Sequence, residues 1–321
     1  MYQQFYGLST LPFELTTNPK SLFLSPGHRE ALSNLEYGLS TAKPITLLLG
    51  EAGTGKTTLV KAAMASNRCR HVSCLYIHNP ILTRAEFIQF LARELALSKE
   101  AGRSKTDLLE EMEAMLLARR DQGGTIALVV DEAQSLTSEL LEEIRLLANM
   151  EAGDRKLMPL VLAGQPELAR RLNEPGLRQL KQRIALRCSV APFSISETAG
   201  YMAARIRVAG GEAVRLFTRE AVAAIHSQSQ GIPRLINVIC DNALLTGMAL
   251  GRQPVDSDLV IDVCRDFDLT AYVSPMAESP ADDLLTGDAA SEPGSVAPEA
   301  DDDLGPRTAV RATGAHRALR N

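Results

Sequence analysis

The chain is 321 residues long, 45% hydrophobic and 23% charged, with a formal net charge of −5 at pH 7. That length can bury one large core or two smaller ones, and the composition is ordinary for a soluble globular protein. No window of about eighteen consecutive apolar residues occurs, so no membrane-spanning segment is expected; the most apolar stretch, Leu235 to Leu250, is interrupted by Asp241 and Asn242. The opening MYQQFYGLSTLPF has neither a basic region nor an apolar one, so no secretory signal is read and a cytoplasmic location is expected. The five cysteines, Cys69, Cys74, Cys188, Cys240 and Cys264, form no CxxC pair and read as small buried hydrophobes.

Charge is unevenly spread. From Ser274 onward there are nine acidic residues and four arginines, which is the whole net charge, so the preceding body is balanced. A balanced body neither favours nor excludes nucleic-acid binding, which needs only a local basic patch.

Residues 1–44 contain Phe5, Tyr6, Phe13, Phe23 and Tyr37, and Pro12 and Pro19 predict extended or turn backbone between Pro12 and Phe23. His28 to Leu39 returns to helical periodicity, with Ala31, Leu32, Leu35 and Leu39 on one face. Ile45 to Leu49 (ITLLL) then predicts a buried parallel strand, and it runs into Gly50-Glu51-Ala52-Gly53-Thr54-Gly55-Lys56-Thr57, a full match to the P-loop pattern, followed by helix from Thr58. Gly50, Gly53 and Gly55 would let the backbone turn its N–H groups inward around a phosphate. Lys56 would reach the β and γ phosphates, and the Thr57 hydroxyl would ligate Mg²⁺. The N-terminal aromatic residues either pack over the base of such a nucleotide or cover an apolar edge of the domain.

Val72 to Ile77 predicts a second strand, Thr83 to Leu97 an amphipathic helix capped by Thr83 with Glu86, and Leu108 to Arg120 a further helix with Met112 and Met115 as core fillers. In TIALVVDEAQ (125–134) a buried strand delivers Asp131 and Glu132 at its C-terminal end, where open α/β sheets bind ligands. Asp131 would hold Mg²⁺ directly or through water, and Glu132 would orient the attacking water. A helix begun by Ser138 and a strand over Leu160 to Ala163 follow; Gln165 beyond it either touches the γ-phosphate region or caps a turn. Arg178 and Arg183 precede a fifth strand, Ile184 to Val190. They suit phosphate contacts in trans, or are a solvated basic helix face. From Ser194 to Asp268 only helices are predicted, and Arg234 opens the third of them, after Gly231-Ile232-Pro233, within reach of a nucleotide phosphate. Ser274 to Asn321 is too polar to form a core and is expected to be disordered, as a solubilising or partner-binding tail.

The opening MYQQFYGLSTLPFELTTNP, then HREALSNLEYGL, GEAGTGKTTL, VVDEAQ, LAGQPEL, LKQRI and GIPRLIN, together resemble the AAA+ ATPases of the ExeA/GspA, general secretion pathway A, type, to which transposition helper ATPases such as MuB and TniB are related. The resemblance spans approximately residues 1–268. It implies a three-layer α/β/α parallel sheet with a C-terminal helical lid. The expected division is an N-terminal segment on the nucleotide site (1–44), an ATPase core (45–193), a lid (194–273) and the tail (274–321). By resemblance Lys56 and Thr57 are Walker A, Asp131 and Glu132 Walker B, Gln165 sensor 1, Arg183 an arginine finger and Arg234 sensor 2. ATP with Mg²⁺ is then expected, with sites at subunit interfaces of a homo-oligomer, a ring and possible hexamer. Its function would be to hydrolyse ATP so as to assemble or remodel a protein client in secretion or envelope export. The alternatives are a transposition-type helper on duplex DNA, with Arg205, Arg207, Arg215 and Arg219 as a basic stripe, and a nucleotide-gated adaptor. Secretion members of this type also carry a transmembrane segment and a peptidoglycan-binding region after the ATPase; neither is read in these 321 residues.

Overall fold

A computed structural model of the chain describes residues 2–15, 23–78, 80–153 and 155–268. The chain divides into two units, 1–273 and 274–321, and the described residues all belong to the first. The tail from Ser274 and the turn expected at Pro19 lie outside them.

A short helix α1 (Tyr2–Tyr6) precedes α2 (Pro26–Ser40), strand β1 (Ile45–Gly50), α3 (Lys56–Met64) and β2 (Val72–Ile77). Next come α4 (Arg84–Glu94), α5 (Lys105–Asp121), β3 (Thr125–Val130) and α6 (Ser138–Leu147). A hairpin of β4 (Glu151–Ala152) and β5 (Arg155–Lys156) leads to β6 (Leu160–Gly164), α7 (Pro166–Arg171), α8 (Arg178–Gln182) and β7 (Ile184–Val190). The remainder is helical: α9 (Ile195–Val208), α10 (Ala213–Leu216), α11 (Arg219–Ser229), α12 (Pro233–Ala249) and α13 (Ser257–Asp266). Among the described residues no helix is long and apolar enough to cross a membrane.

The sheet has the order β2-β3-β6-β1-β7, and every pairing is parallel. Helices cover both faces, which is why the three central strands β1, β3 and β6 read as unbroken apolar runs, while the edge strands β2 and β7 carry exposed residues between buried ones. Ile45, Leu47 and Leu49 of β1, with Leu128 and Val130 of β3, pack into a core shared with Phe87, Leu91, Met112 and Ile144. Leu48, Ala127 and Val129 point the other way, onto Leu35, Leu39, Leu59 and Val60 of α2 and α3.

The helical part has its own core, built around Ile206, Ile225, Ile236, Ile239 and Val260. Tyr2, Tyr6, Leu8 and Phe13 belong to it, so the N-terminal 44 residues do not act as one piece. Phe13 is 1% exposed and meets Phe217 edge-on, while the Tyr6 hydroxyl donates to the Arg252 carbonyl and the Tyr2 hydroxyl to Asp241. Phe23 still packs on Phe193 and Tyr201, and from Leu24 onward the segment turns to the sheet and to the P-loop. Helix α6 begins at Ser138, as the sequence predicts, with Thr137 as its cap accepting the Leu140 N–H. Local boundaries differ from the sequence reading in two places. Helix α4 stops at Glu94, and Ala96 beyond it has a left-handed backbone. The two-residue strands β4 and β5 are too short to show any periodicity.

Helix α2 ties the P-loop down. Its cap Ser25 accepts from the His28 N–H, and the buried His28 ring has Nε2 2.9 Å from the Thr54 carbonyl and Nδ1 2.8 Å from the Ser25 hydroxyl. A carbonyl only accepts, so Nε2 carries a proton, and in the neutral ring Nδ1 then accepts from the Ser25 hydroxyl. Burial pushes the His28 pKa below its ordinary value of 6.5, against weaker pulls from Thr54 and Glu197.

Two outcomes are expected. Phe13→Ala empties a filled position and should cost about 3–5 kcal/mol of unfolding free energy by urea titration; a loss under about 1 kcal/mol would mean that the N-terminal segment is not part of this core. Because the folded-state pKa of His28 is depressed, the unfolded chain binds the extra proton: the stability from neutral His28 is complete above pH 6.5 and is lost as pH falls below it. His28→Gln should therefore flatten the fall of Tm below pH 6.5, with His226, also lowered by burial, left to account for a residual slope. Parallel parent and variant curves would refute this.

Candidate nucleotide site

The loop after β1 differs in one respect from its reading in sequence. Gly50 is needed for close approach and not for the turn, since a Cβ there would lie 2.7 Å from the Val190 carbonyl of β7. The turn itself is made by Gly53 and Gly55, at φ +82° and +97°. A Cβ on Gly53 would also fall 2.8 Å from the Cβ of Arg234, whose N–H donates to the Gly53 carbonyl at 3.3 Å. The helical part thus rests directly on the P-loop.

Helix α3 begins at Lys56 with Gly55 as its cap, so no side chain occupies the first-turn N–H groups. Ser25, Thr83, Ser104, Thr137, Ser194, Thr218 and Asp256 do fill that position on their helices. An uncapped helix N-terminus with its positive dipole end is a site for an anion. Lys56 is 4% exposed, and its ammonium donates to the carbonyls of Gly50 and Glu51, both at 2.9 Å. Burial lowers its pKa, and the charges of Glu132, Asp131 and Glu51 oppose that.

Across the sheet, the Thr57 hydroxyl donates to Asp131 Oδ2 at 2.6 Å. Asp131 is fully buried, and its other oxygen accepts the Glu132 N–H at 3.0 Å. The Tyr76 hydroxyl of β2 donates to the same Oδ2 at 2.9 Å. Glu132 has φ +52°, an uncommon conformation for a residue with a side chain, and such strain collects at functional sites. Its Oε2 accepts from Gln134 Nε2 at 2.5 Å and lies 3.5 Å from Gln165 Nε2, while Gln134 Oε1 takes the Gln165 N–H at 3.1 Å. Arg171 steadies this loop by donating to the carbonyls of Gln134 and Leu136, both at 2.7 Å.

A cavity of about 360 Å³ opens between these groups and the helical part. Gly53 to Thr58, Glu132 and Arg234 line it, together with Phe23, Phe193 and Tyr201, whose ring centroids stand 5.3–5.9 Å apart. Arg205 lines it too, but spends its donors on Pro12 O at 2.6 Å and Glu14 O at 2.8 Å. Part of the lining is therefore rich in amides with Lys56 and Arg234, and part is aromatic, which fits a phosphate chain and a base. Among the described residues no group of three or more His, Cys, Asp and Glu side chains is gathered for a metal. Thr57 with Asp131 instead fits Mg²⁺, which is held through one or two protein oxygens plus phosphates and water.

The structure brings together Gly53, Thr54, Gly55, Lys56, Thr57, Thr58, Glu132 and Arg234 on one cavity. Asp131 and Gln165 stand just behind, bonded to Thr57 and Glu132. Gly50, Glu51 and Ala52 are outside the lining, and Arg183 caps α8 as an exposed residue away from it. Of the five N-terminal aromatic residues considered, Phe23 reaches the cavity, Tyr6 and Phe13 are buried in the helical core, and Phe5 and Tyr37 are exposed. The proposed basic stripe loses Arg205 to this inward role, and Arg215 pairs with Glu212. Sequence reasoning missed His28, Tyr76, Gln134 and Tyr201. Only Gln134 carried a local signal, two residues after Glu132; the others act through partners 26, 55 and 36 residues away.

Residues 40–172 match the family model described as an AAA domain. General secretion pathway protein A of Aeromonas hydrophila is 40% identical over 272 residues, 85% of this chain and 48% of that protein. The chain thus spans about half the length of that curated relative. In fold it is similar to Cdc6p from Pyrobaculum aerophilum, with a TM-score of 0.61, 19% identity, and coverage of 78% of this chain and 70% of that one. It is also similar to the Aeropyrum pernix ORC2 protein, solved as ADPNP-ADP complexes, at TM-score 0.58 and 18% identity, covering 79% and 71%. With its P-loop, its sheet order and these similarities, the chain belongs to the AAA+ P-loop ATPases, of the type of general secretion pathway protein A.

Proposed function

We propose that the chain binds ATP with Mg²⁺ and hydrolyses it to ADP and phosphate, using the cycle to assemble or remodel a protein partner in a secretion or envelope-export system. The observation that carries this reading is the Thr57–Asp131 hydrogen bond at 2.6 Å, made by residues 74 apart in sequence, with Glu132 on the same cavity as Lys56. Thr57 and Asp131 would hold Mg²⁺, which when bound neutralises phosphate charge. Lys56 would exchange the Gly50 and Glu51 carbonyls for phosphate oxygens, and Arg234 would meet them from the helical side. Glu132 would hold and polarise the attacking water, with Gln165 beside it.

Arg183 is exposed and away from its own cavity, as a residue supplied to a neighbouring copy must be. That supports a homo-oligomer, a ring in this reading, with each site completed across an interface. A cytoplasmic setting is part of the same proposal. The secretion partner rests on the likeness to general secretion pathway protein A, of which this chain covers 48%. The duplex-DNA alternative relies on a stripe from which Arg205 is withdrawn.

Steady-state hydrolysis at increasing protein concentration tests the proposal. Glu132→Gln should lower kcat about 10²–10⁴-fold with little change in ATP affinity. Arg183→Ala should lower it about 10³-fold or more. Mixing the two inactive variants should restore turnover, since an interface with Glu132 from one copy and Arg183 from the other is complete. Unimpaired Arg183→Ala would remove the interface site. A parent chain that binds ATP without turnover at any concentration would replace the enzyme with a nucleotide-gated adaptor.

A further inference from the structure

Asp131 is held from three directions. Its Oδ1 takes the Glu132 N–H, and its Oδ2 takes two hydroxyls, from Thr57 at 2.6 Å and from Tyr76 at 2.9 Å. Tyr76 comes from β2, the edge strand, which runs in register with β3, Tyr76 beside Val129 and Ile77 beside Val130. The Ile77 carbonyl accepts the Asp131 N–H at 2.9 Å, so the strand carrying Tyr76 also anchors the backbone of Asp131. Outside Tyr76 stands His78, 70% exposed in its side chain, stacked on the phenol at a centroid distance of 6.0 Å and with Nδ1 3.4 Å from the Tyr76 oxygen.

We infer that Tyr76 is a positioning residue for the divalent cation: its hydroxyl fixes the Asp131 carboxylate and so sets how tightly the Thr57–Asp131 pair holds Mg²⁺. This rests on the reading of the cavity as a Mg–nucleotide site. The physical reason lies in the number of fixed donors. When Thr57 turns a lone pair to a cation, its proton still has Asp131 Oδ2 to bond, and the carboxylate must stay in one plane for both tasks. Without the phenol, Oδ2 keeps only the Thr57 hydroxyl, the group that must also turn to the cation, and the carboxylate loses the one side-chain donor that holds it independently of Thr57. Partners of metal-binding groups in this position typically change metal affinity about 10–100-fold when removed. His78 touches the phenol from solvent and not the carboxylate within hydrogen-bond distance, being 4.0 Å from Oδ2, so its contribution is smaller.

The test is binding of a fluorescent ADP analogue to the full chain, titrated with Mg²⁺ and repeated in EDTA, for the parent, Tyr76→Phe and His78→Ala. Tyr76→Phe keeps the ring and should raise the Mg²⁺ midpoint about 10–100-fold while leaving the affinity in EDTA at the parent value. His78→Ala should shift the midpoint in the same direction by less. An unmoved midpoint in Tyr76→Phe, or an equal loss of affinity in EDTA, overturns the inference and leaves the Mg–nucleotide site intact. A parent whose binding ignores Mg²⁺ removes that site, and the inference with it.

Discussion

The hydrogen bond from Thr57 to Asp131 joins the first turn of α3, which the P-loop connects to β1, to the end of β3, and β1 and β3 are not neighbours. Strand β6 lies between them and pairs in parallel with both. Three parallel strands bring three C-terminal ends to one edge of the sheet, so Gly50, Val130 and Gly164 deliver the P-loop, the Asp131-Glu132 pair and Gln165 to a common place. Reversing any one of these strands would carry its end away by the strand's length, about 20 Å for six residues at the usual rise. The chemistry of the cavity is therefore a consequence of strand direction before it is a consequence of any side chain.

The second constraint is contact between the P-loop and the helical part. The first turn of α12 lies against Gly53, through the Arg234 N–H and the packing of Arg234 and Ile232. Phe193 and Tyr201 continue the same wall, and Arg205 binds the backbone at Pro12 and Glu14 of the N-terminal segment. The loop, the helices and the N-terminal segment, through Glu14 and Leu15, all line the cavity. Tyr2, Tyr6 and Phe13 pack among the same helices, so the N-terminal segment is joined to the helical part by apolar burial as well as by Arg205.

Much of this was legible in the sequence because it is local. An apolar run ending in GEAGTGKT must be a strand, a turn and a helix, and VVDEAQ must bring two carboxylates to a strand end. The five sheet strands lie where the sequence predicts them, and residues 195–266 are helical as expected. Less was legible where a residue answers to distant partners. Gly50 reads as a turn glycine, yet it is required by the carbonyl of Val190 on another strand. Arg205 reads as part of a surface stripe, yet it is turned inward by two backbone carbonyls nearly two hundred residues earlier.

The sequence by itself determined the P-loop, the Asp131-Glu132 pair, the alternation of strands and helices and the change to an all-helical region near Ser194. These depend on periodicity and on backbone freedom within a few residues, which the order of amino acids states directly. Only the tertiary structure decided that Tyr76 and Thr57 share one oxygen of Asp131, that Gln134 and not only Gln165 holds Glu132, and that His28 grips the P-loop. Those contacts follow from strand order and helix packing, which place side chains together by burying apolar faces, and the burial of a face is a property of the whole chain.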